Sequence, residues 1–411
     1  METFLAPWLA DTSRGKTAQE ILRRCVHCGF CTATCPTYQI LGDELDGPRG
    51  RIYMIKQLVE GAEITRETQI HLDRCLTCRN CETTCPSGVE YGKLVDIGRE
   101  LVEERISRPI GERLMRGALK AGLSSPLFAP AMRAGQMIRG LLPATLKAKV
   151  PAYQHPGKIP SAQHARKVFL LKGCVQPAML PGIDAATRRV LDALSIQSLI
   201  APGSGCCGAI KHHLADTQGG LLDMKRNIDA WWPEVSKGNV EAIVVNASGC
   251  GVLIKDYGHL LEHDAQYAEK AAKISALAKD PVEFLESLTA ELQQKIKPIA
   301  QGSRVAFHPP CTLQHGMKIR GAVEKLLTTL GATLVPVADS HLCCGSAGTY
   351  SVLQPTLSSE LKARKLNALQ ADSPEVILSA NIGCITHLQS GTATPVRHWL
   401  EWVDERLSAA N

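Results

Sequence analysis

The fold of this chain is decided by the stretch Cys25-Val-His-Cys-Gly-Phe-Cys-Thr-Ala-Thr-Cys-Pro36, which recurs as Cys75-Leu-Thr-Cys-Arg-Asn-Cys-Glu-Thr-Thr-Cys-Pro86. Both copies have the spacing C-x2-C-x2-C-x3-C-P. Gaps of two residues let a tight turn bring three sulfur atoms to one side. The proline then ends the turn, because it fixes φ and lacks a backbone donor. The repeat therefore predicts two equivalent thiolate-rich metal sites.

The spacing is that of bacterial ferredoxins, in which three neighbouring thiolates bind one [4Fe-4S] cluster and the fourth, beside the proline, binds the other. On this rule the ligands of cluster 1 are Cys25, Cys28, Cys31 and Cys85, and the ligands of cluster 2 are Cys75, Cys78, Cys81 and Cys35. The alternative is a pair of structural zinc sites with four cysteines each. Zinc ligands usually come as two separated pairs, which leaves the third cysteine and the Cys-Pro ending unexplained.

Length and composition limit which classes of protein this chain can belong to. The chain has 411 residues, of which 45% are hydrophobic, so two or three globular domains are expected. The net charge of +6 is mild and only 4% of residues are aromatic, so we expect no nucleic-acid partner. The amino terminus shows no signal peptide pattern, which predicts a cytoplasmic protein whose 16 cysteines stay reduced. Eighteen consecutive apolar residues occur nowhere, so we expect no membrane-spanning helix.

The region around the two motifs is predicted to be helical over residues 1–110. Thr17-Ala-Gln-Glu20 has the spacing of a capping box, which predicts a helix start. Helical periodicity follows at Ile52, Ile55, Leu58 and Val59 until Gly61, and another helix is expected from Ile70 to Arg74. Both cysteine motifs would then begin at helix ends.

Such an arrangement resembles the helical ferredoxin domains of the succinate dehydrogenase and heterodisulfide reductase families. In that setting Arg49 and Arg51 lie near the clusters, where positive charge would favour the reduced state. An equally consistent interpretation is that this arginine pair orders a loop or is solvated.

Residues 111–165 are predicted to connect two domains. No acidic residue occurs between Arg113 and Lys149, and seven basic residues alternate with apolar ones there. A basic amphipathic stretch of this kind fits an anionic membrane surface, a partner subunit, or a connector that packs on its own protein. The segment from Pro151 to Pro160 is rich in proline, which predicts a linker.

The carboxy-terminal half is an internal duplication. Its cysteines recur in the same order at nearly the same intervals, as Cys174, Cys206-Cys207 and Cys250, then as Cys311, Cys343-Cys344 and Cys384. We therefore predict one repeat over 166–290 and a second over 291–411.

Each repeat is predicted to be an α/β unit. Val168–Leu171 and Val376–Leu378 are short and apolar, as buried strands are, whereas Ala185–Leu194 and Ala322–Leu330 have helical character. Alternating strands and helices predict parallel sheets, and ligands gather beyond the carboxyl ends of such strands. The cysteines fall there, so we expect those of each repeat to converge. The predicted fold class is α+β multidomain: a helical ferredoxin domain followed by a duplicated α/β domain.

The pattern of a cysteine, then Cys-Cys-Gly, then a further cysteine resembles the cysteine-rich CCG domain of heterodisulfide reductase, which binds an atypical iron-sulfur cluster. That family ends in Cys-x-x-Cys, whereas Cys250 and Cys384 each stand alone. A third ordinary cluster, a mixed site, or no metal all remain open. The candidate ligands are Cys174, Cys206, Cys207, Cys250, Cys311, Cys343, Cys344 and Cys384.

Histidines are concentrated in the second repeat. His308, His315, His341 and His387 all lie near its cysteines. Histidine titrates near neutrality, so one of them is a candidate metal ligand or a candidate for proton delivery to a quinone. Their structural role as ordinary buried histidines is the competing interpretation, and His212 and His213 are weaker candidates.

Two ferredoxin motifs followed by two CCG repeats resemble the glycolate oxidase iron-sulfur subunit family. The segments that carry the resemblance are Arg24–Tyr38, Gly42–Arg51, Asp73–Gly88 and Asp339–Tyr350. The resemblance implies that partner subunits carry FAD and oxidise glycolate, while this chain passes electrons to a membrane quinone. It also implies a hetero-oligomer at the cytoplasmic face of the inner membrane, in peripheral contact with it. The resemblance therefore places the FAD on the partner subunits and not on this chain.

Three alternatives remain. The same electron-transfer role is conceivable in a lactate or glycerol-3-phosphate dehydrogenase complex. The CCG half could instead be a catalyst like heterodisulfide reductase, although the missing fifth cysteines count against it. A metal-stabilised scaffold without redox function would contain zinc in place of iron.

Overall fold

The computed structural model describes residues 1–147, 149–297 and 303–408. Its amino-terminal part is helical, as expected. The helices are α1 (Pro7–Ala10), α2 (Ser13–Arg24), α3 (Phe30–Ala33), α4 (Pro36–Leu41), α5 (Pro48–Val59), α6 (Arg66–Asp73), α7 (Asn80–Thr84) and α8 (Tyr91–Arg105).

The predicted start of the first long helix is wrong. Helix α2 begins four residues before Thr17, and the side chain of Thr12 caps it by accepting a hydrogen bond from the Gly15 amide. A Cβ at Gly15 would collide with the carbonyl oxygen of Leu9, so glycine permits the close contact between α1 and α2. The other helix predictions are confirmed, and the two cysteine motifs follow the carboxyl ends of α2 and α6.

Three helices form the connector: α9 (Ile110–Ser124), α10 (Phe128–Met137) and α11 (Ala144–Lys147). Helix α9 has no buried residue. It is tied to the protein by polar contacts such as Arg116 to Asp73 at 2.9 Å, while Gln136 of α10 donates to the Met179 carbonyl at 3.4 Å. Residues 151–165, all of which the structure describes, contain no helix or strand.

The first repeat is an α/β unit. Its strands are β1 (Arg166–Leu170), β2 (Ile196–Leu199), β3 (Ile243–Val244) and β4 (Ala278–Lys279). They form a parallel sheet in the order β2-β1-β3-β4. The helices are α12 (Gln176–Met179), α13 (Pro181–Ala193), α14 (Ala209–His213), α15 (Thr217–Val235), α16 (Ser248–Leu260), α17 (Ala268–Leu277), α18 (Pro281–Leu285) and α19 (Thr289–Lys295).

The second repeat has the same sheet topology. Its strands β5 (Arg304–His308), β6 (Thr333–Leu334), β7 (Val376–Ser379) and β8 (Val396–His398) are parallel, in the order β6-β5-β7-β8. The helices are α20 (Ala322–Thr329), α21 (Tyr350–Leu353), α22 (Pro355–Gln370), α23 (Ile382–Gln389) and α24 (Trp399–Asp404). The duplication and the parallel strands are thereby confirmed.

The two repeats share a hydrophobic core. Val168 and Leu170 of the first belong to the same buried cluster as Val305 and Trp399 of the second. Helix α13 packs against α24, and Arg189 pairs with Asp404 at 2.6 Å. The expected division at 290/291 falls inside α19, and residues 298–302 and 409–411 of the expected last domain lie outside the described residues. The pair therefore folds as one body with two sheets.

The helical domain packs against both repeats. Arg79 pairs with Asp256 of the first repeat at 2.7 Å, and the Tyr350 hydroxyl of the second donates to the Arg74 carbonyl at 3.0 Å. Within 1–147, 149–297 and 303–408, none of the helices combines the length and hydrophobicity that a membrane crossing requires.

Candidate metal centre

The cysteine motifs are built on turns with left-handed backbone. His27 and Gly29 in the first motif have φ of 58° and 88°, and the equivalent Thr77 and Arg79 in the second have 53° and 57°. Such a backbone is unfavourable for side chains other than glycine, so the surrounding fold must hold it in place. In each motif, the turn brings the first three cysteines together on one side. The Thr34 and Thr84 hydroxyls, at equivalent positions, lie 3.1 Å apart and join the two motifs.

The structure brings Cys85 to the first motif. Burial, followed by the charges of Cys25, Cys85 and Cys28, raises the pKa of Cys31 to about 11. We call Cys25, Cys28, Cys31 and Cys85 the first group. All four line one cavity, and Cys81 of the second motif also lines it. Cys28 is exposed there, and the neighbouring Val26 and Phe30 are 69% and 62% exposed. The first group therefore reaches the protein surface at Cys28, beside the exposed apolar side chains of Val26 and Phe30.

The structure likewise places Cys35 beside the second motif. Burial raises the pKa of Cys81 well above its usual range, and Cys78, Cys75 and Cys35 contribute to that shift. We call these four the second group. The Thr77 amide and the Tyr91 hydroxyl donate to Cys75 Sγ at 3.4 and 3.6 Å. Hydrogen bonds of this kind stabilise negative charge on a ligand sulfur.

Both predicted arginines lie beside these groups. Arg49 lines the cavity of the first group and pairs with Glu44 at 2.6 Å. Arg51 is 1% exposed and donates to Thr37 Oγ1 at 3.1 Å. Burial opposes the charge of Arg51, but nearby Cys75, Tyr91 and Cys35 hold its pKa above the usual range.

In the first repeat the cysteines converge at the carboxyl ends of the strands. Hydrogen bonds from Cys174 and Cys207 lower the pKa of the Cys206 thiol, and Cys207 in turn interacts with Cys250. Gly208, at φ 95°, donates its amide to Cys206 Sγ at 3.5 Å. We call these four cysteines the first-repeat group.

The cysteines of the second repeat also converge. Cys311 Sγ lies 3.9 Å from Cys343 Sγ, Cys344 interacts with Cys343 and Cys384, and all four are buried. The Gly345 amide donates to Cys343 Sγ at 3.4 Å, at a φ of 87° that favours glycine. We call this the second-repeat group.

The second group and the second-repeat group adjoin each other. Burial, and next to it the charge of Cys311, raises the pKa of Cys78. Cys78 and Leu76 pack in the same apolar cluster as Cys311 and Cys343. This contact could not be predicted, because it joins residues more than two hundred positions apart.

The four histidines lie in two different environments. His308 and His387 are enclosed by protein: His308 adjoins Cys344 and Cys384, and His387 Nε2 lies 3.2 Å from Ser358 Oγ. His315 and His341 line a polar cavity of about 400 Å³ between the helical domain and the second repeat. Burial lowers the pKa of His315 and that of His387 to about 4. Both side chains are therefore neutral at pH 7.

His212 and His213 lie 3.4 and 3.9 Å from Asp96 of helix α8, and the three side chains form a group that contains no cysteine. Two polar residues of the cavity, Thr83 and Arg320, were not predicted, since only the packing of distant segments brings them to it. Thr83 Oγ1 lies 2.9 Å from His315 Nδ1.

The donor sets fit polynuclear iron. Two groups of four cysteines lie at ferredoxin turns, and cysteine binds iron as a thiolate whose proton is lost when the metal binds. A helical domain of this kind followed by paired cysteine-rich repeats defines an iron-sulfur electron-transfer protein.

Comparison with known proteins agrees with this class. Residues 21–89 match the family model of the 4Fe-4S dicluster domain, and residues 168–255 and 305–389 match that of the cysteine-rich domain. The glycolate oxidase iron-sulfur subunit of Escherichia coli (strain K12) is 52% identical over 409 residues, which is 99% of each chain. The chain belongs to the glycolate oxidase iron-sulfur subunit family.

More distant relatives share part of this similarity. The probable glycolate oxidase iron-sulfur subunit of Bacillus subtilis (strain 168) is 29% identical over 90% of this chain and 89% of its own. Lactate utilization protein A of an Exiguobacterium species is 24% identical over 59% of this chain and 99% of its own.

Proposed function

We propose that this chain is the electron-transfer subunit of a complex that oxidises glycolate, and that it carries electrons from FAD on a partner subunit to a membrane quinone. The observation that carries the proposal is the succession of cysteine groups. The first group lies at the surface, the second group is linked to it by the Thr34–Thr84 contact, and the second group adjoins the second-repeat group through Cys78. The substrate rests on similarity to the E. coli protein.

For the ligands we propose the crossed assignment. Cys25, Cys28, Cys31 and Cys85 would hold one [4Fe-4S] cluster, and Cys35, Cys75, Cys78 and Cys81 the other. When bound, the clusters supply one-electron redox chemistry. The chain's own residues fix the positions of the sulfur atoms, exclude water, and donate hydrogen bonds to them.

The repeats offer two further candidate sites. The first-repeat group is Cys174, Cys206, Cys207 and Cys250, and the second-repeat group is Cys311, Cys343, Cys344 and Cys384. We propose a third metal group in the second repeat, because its four thiols are all buried and it adjoins the second group. Cys174 and Cys250, by contrast, are partly exposed.

We infer that the flavin-carrying partner docks at the first group. Cys28 is exposed there, and the apolar side chains of Val26 and Phe30 surround it without covering it. An electron can pass between subunits only where a redox centre comes close to the interface. An apolar rim is also the surface that a partner subunit buries most favourably.

For proton delivery to the quinone we retain His315 and His341. They line the polar cavity, whereas His308 and His387 are not among the residues that line it. Because the pKa of His315 is lowered to about 4 by burial, this side chain could relay a proton but would not store one at pH 7.

We propose peripheral attachment of the complex to an anionic membrane surface through the connector. Ile110, Leu127, Met137 and Leu141 are 68%, 73%, 84% and 87% exposed. Basic residues alternate with these apolar ones, and no acidic residue lies between Arg113 and Lys149. Apolar insertion combined with positive charge is the usual basis of interfacial membrane binding.

A lactate-oxidising complex is the second candidate function, because the Exiguobacterium relative is named for lactate utilization. One experiment separates the two substrates. The chain is purified anaerobically with the subunits that accompany it, and reduction of an artificial quinone is assayed with glycolate and with lactate. We expect flavin in the preparation and glycolate-dependent reduction. Reduction by lactate alone would overturn the substrate assignment, and zinc in place of iron would overturn the electron-transfer role.

A further inference from the structure

The side chain of His308, the last residue of strand β5, is buried without a hydrogen-bond partner among the described residues. It is 1% exposed, and both ring nitrogens lack such a partner within that part of the chain. A buried polar group without a partner destabilises the folded state, so proteins seldom retain one without a reason.

The ring of His308 lies at the second-repeat group. One of its ring nitrogens and the Sγ atoms of Cys344 and Cys384 all lie within 4.8 Å of one another. The backbone around it is fixed, since Ser379 of β7 donates its hydroxyl to the His308 carbonyl at 2.9 Å. Three soft or borderline donors therefore converge where a metal could bind all of them.

Imidazole is a common metal ligand in proteins, and either of its two ring nitrogens can bind the metal through its lone pair.

The first repeat lacks this donor. His308 stands three residues before Cys311, and the residue three before Cys174 is Leu171. Leu171 is 5% exposed and so fills the corresponding buried place with an apolar side chain. The two repeats share a fold and four cysteines, but only the second adds a nitrogen donor at this position.

We propose that His308 is a ligand of the metal group in the second repeat, alongside the cysteines of the second-repeat group, and that the group is an iron-sulfur cluster with mixed cysteine and histidine ligation. The proposal rests on the proposed metal binding in this repeat. Replacing an anionic thiolate by a neutral imidazole makes a cluster less negative, which favours its reduced form. This site would then have a higher potential than a site with thiolates alone, as suits the end of an electron-transfer chain.

Nitrogen hyperfine coupling tests the assignment. The full-length chain is prepared anaerobically with natural-abundance histidine and with 15N-histidine, reduced stepwise, and examined by pulsed EPR. Iron, zinc and acid-labile sulfide are counted in parallel. We expect about twelve irons and a histidine-dependent nitrogen coupling that belongs to neither ferredoxin cluster.

Three variants make the result specific. His308→Leu copies the first repeat and should abolish the coupling. His387→Leu is the matched control, a second buried histidine of the same repeat that contacts Ser358 Oγ at 3.2 Å, and it should retain the coupling. His308→Cys restores a donor. It should keep about twelve irons without the nitrogen coupling, and it should shift the midpoint potential of the third cluster downward.

Persistence of the coupling in His308→Leu would overturn the proposal, as would a third cluster without any histidine coupling in the wild type. A wild type with about eight irons and no other metal would overturn it as well. In that case two intact ferredoxin EPR signals would show that the proposed electron-transfer function still holds.

Discussion

Arg79 Nη2 lies 2.7 Å from Asp256 Oδ2, and this ion pair joins the second ferredoxin motif to helix α16 of the first repeat. Arg79 is the residue between Cys78 and Asn80, so the pair acts on the same turn that positions the second group. The side chains are 17% and 28% exposed. The turn is therefore held both by its own motif and by a domain far along the chain.

Removing this ion pair should loosen the helical domain from the repeats. We expect Arg79→Ala to lower the free energy of unfolding by about 1.5–3 kcal/mol, the usual worth of hydrogen bonds to charged groups. Chemical denaturation of the anaerobic protein measures this free energy. A double-mutant cycle with Asp256→Ala isolates the interaction energy between Arg79 and Asp256. Arg364→Ala is the control, because Arg364 and Glu360 form a pair that is about half exposed. Equal effects of Arg79→Ala and Arg364→Ala would contradict the prediction.

The crossed assignment predicts which cysteines act together. Cys35→Ala should remove the same EPR signal as Cys78→Ala, although the two positions belong to different motifs. Cys85→Ala should remove the same signal as Cys28→Ala. The physical reason is that Cys35 lies with Cys75, Cys78 and Cys81, and Cys85 with Cys25 and Cys31. If Cys35→Ala and Cys28→Ala eliminate one common signal instead, each motif binds its own cluster and the assignment fails.

Much of the fold follows from local sequence signals. The periodicity of Ile52 to Val59 predicted a helix that the structure contains, and the short apolar runs predicted the parallel strands. The predicted start of α2 is too late, because Thr17 has the capping-box spacing and Thr12, which caps the helix, is followed at the third position by Gly15 instead of Glu or Gln. Gly15 lies against α1, and this contact is not visible in the local sequence pattern.

Contacts between distant segments could not be predicted. His308 was recognised as lying near cysteines, but its approach to Cys384 depends on the register of β5 against β7 and on the start of α23. The packing of α13 on α24 merges two units that looked separate along the chain. Sequence periodicity reports which face of an element is buried, and it does not report which partner covers that face.

We expect Arg51 to contribute both to the stability of the fold and to the reduction potential of cluster 2. Arg51 and Asp46 are each 1% exposed and lie 3.3 Å apart. Removing one member of a buried ion pair typically costs about 3–5 kcal/mol. We expect Arg51→Met to approach that loss and to lower the potential of cluster 2, because a positive charge near Cys35 and Cys75 disappears. Denaturation and redox titration measure the two effects. Arg49→Met, at a side chain that is 35% exposed, should change stability less, and a larger loss there would contradict this ranking.

The connector should bind anionic membranes through its exposed apolar side chains. We expect Met137→Glu and Leu141→Glu each to weaken cosedimentation with vesicles that contain phosphatidylglycerol. A buried apolar contact would be lost and a like charge added near the lipid. Leu222→Glu is the matched control, since Leu222 is 67% exposed on α15, outside the connector. Equal binding by all three variants would argue that the connector faces a partner subunit instead.

Asp280 should make stability depend on pH near neutrality. It caps helix α18, accepting from the Val282 amide at 3.0 Å, while its Oδ2 is buried without a partner among the described residues. Burial raises the pKa of Asp280 to about 7. The unfolded value is about 3.9, so from about pH 4 to 7 the folded state binds a proton that the unfolded state has lost. Stability therefore falls as pH rises through that window, by up to about 1.4 kcal/mol per pH unit, and this contribution is constant above it.

Asp280→Asn keeps a side chain that can cap the helix and removes the titrating group. Chemical denaturation at pH 5.5, 6.5, 7.5 and 8.5 should show the variant gaining stability relative to the wild type up to about pH 7, with no further change beyond. Asp264→Asn is the control: a hydrogen bond from Lys225 lowers the pKa of Asp264, so its difference from wild type should be flat across this range. If the difference in stability between Asp280→Asn and the wild type also stays constant across this pH range, the prediction is wrong. The buried carboxyl would then be ionised in the folded protein, and Lys255 would stabilise its charge more than the geometry of the cap suggests.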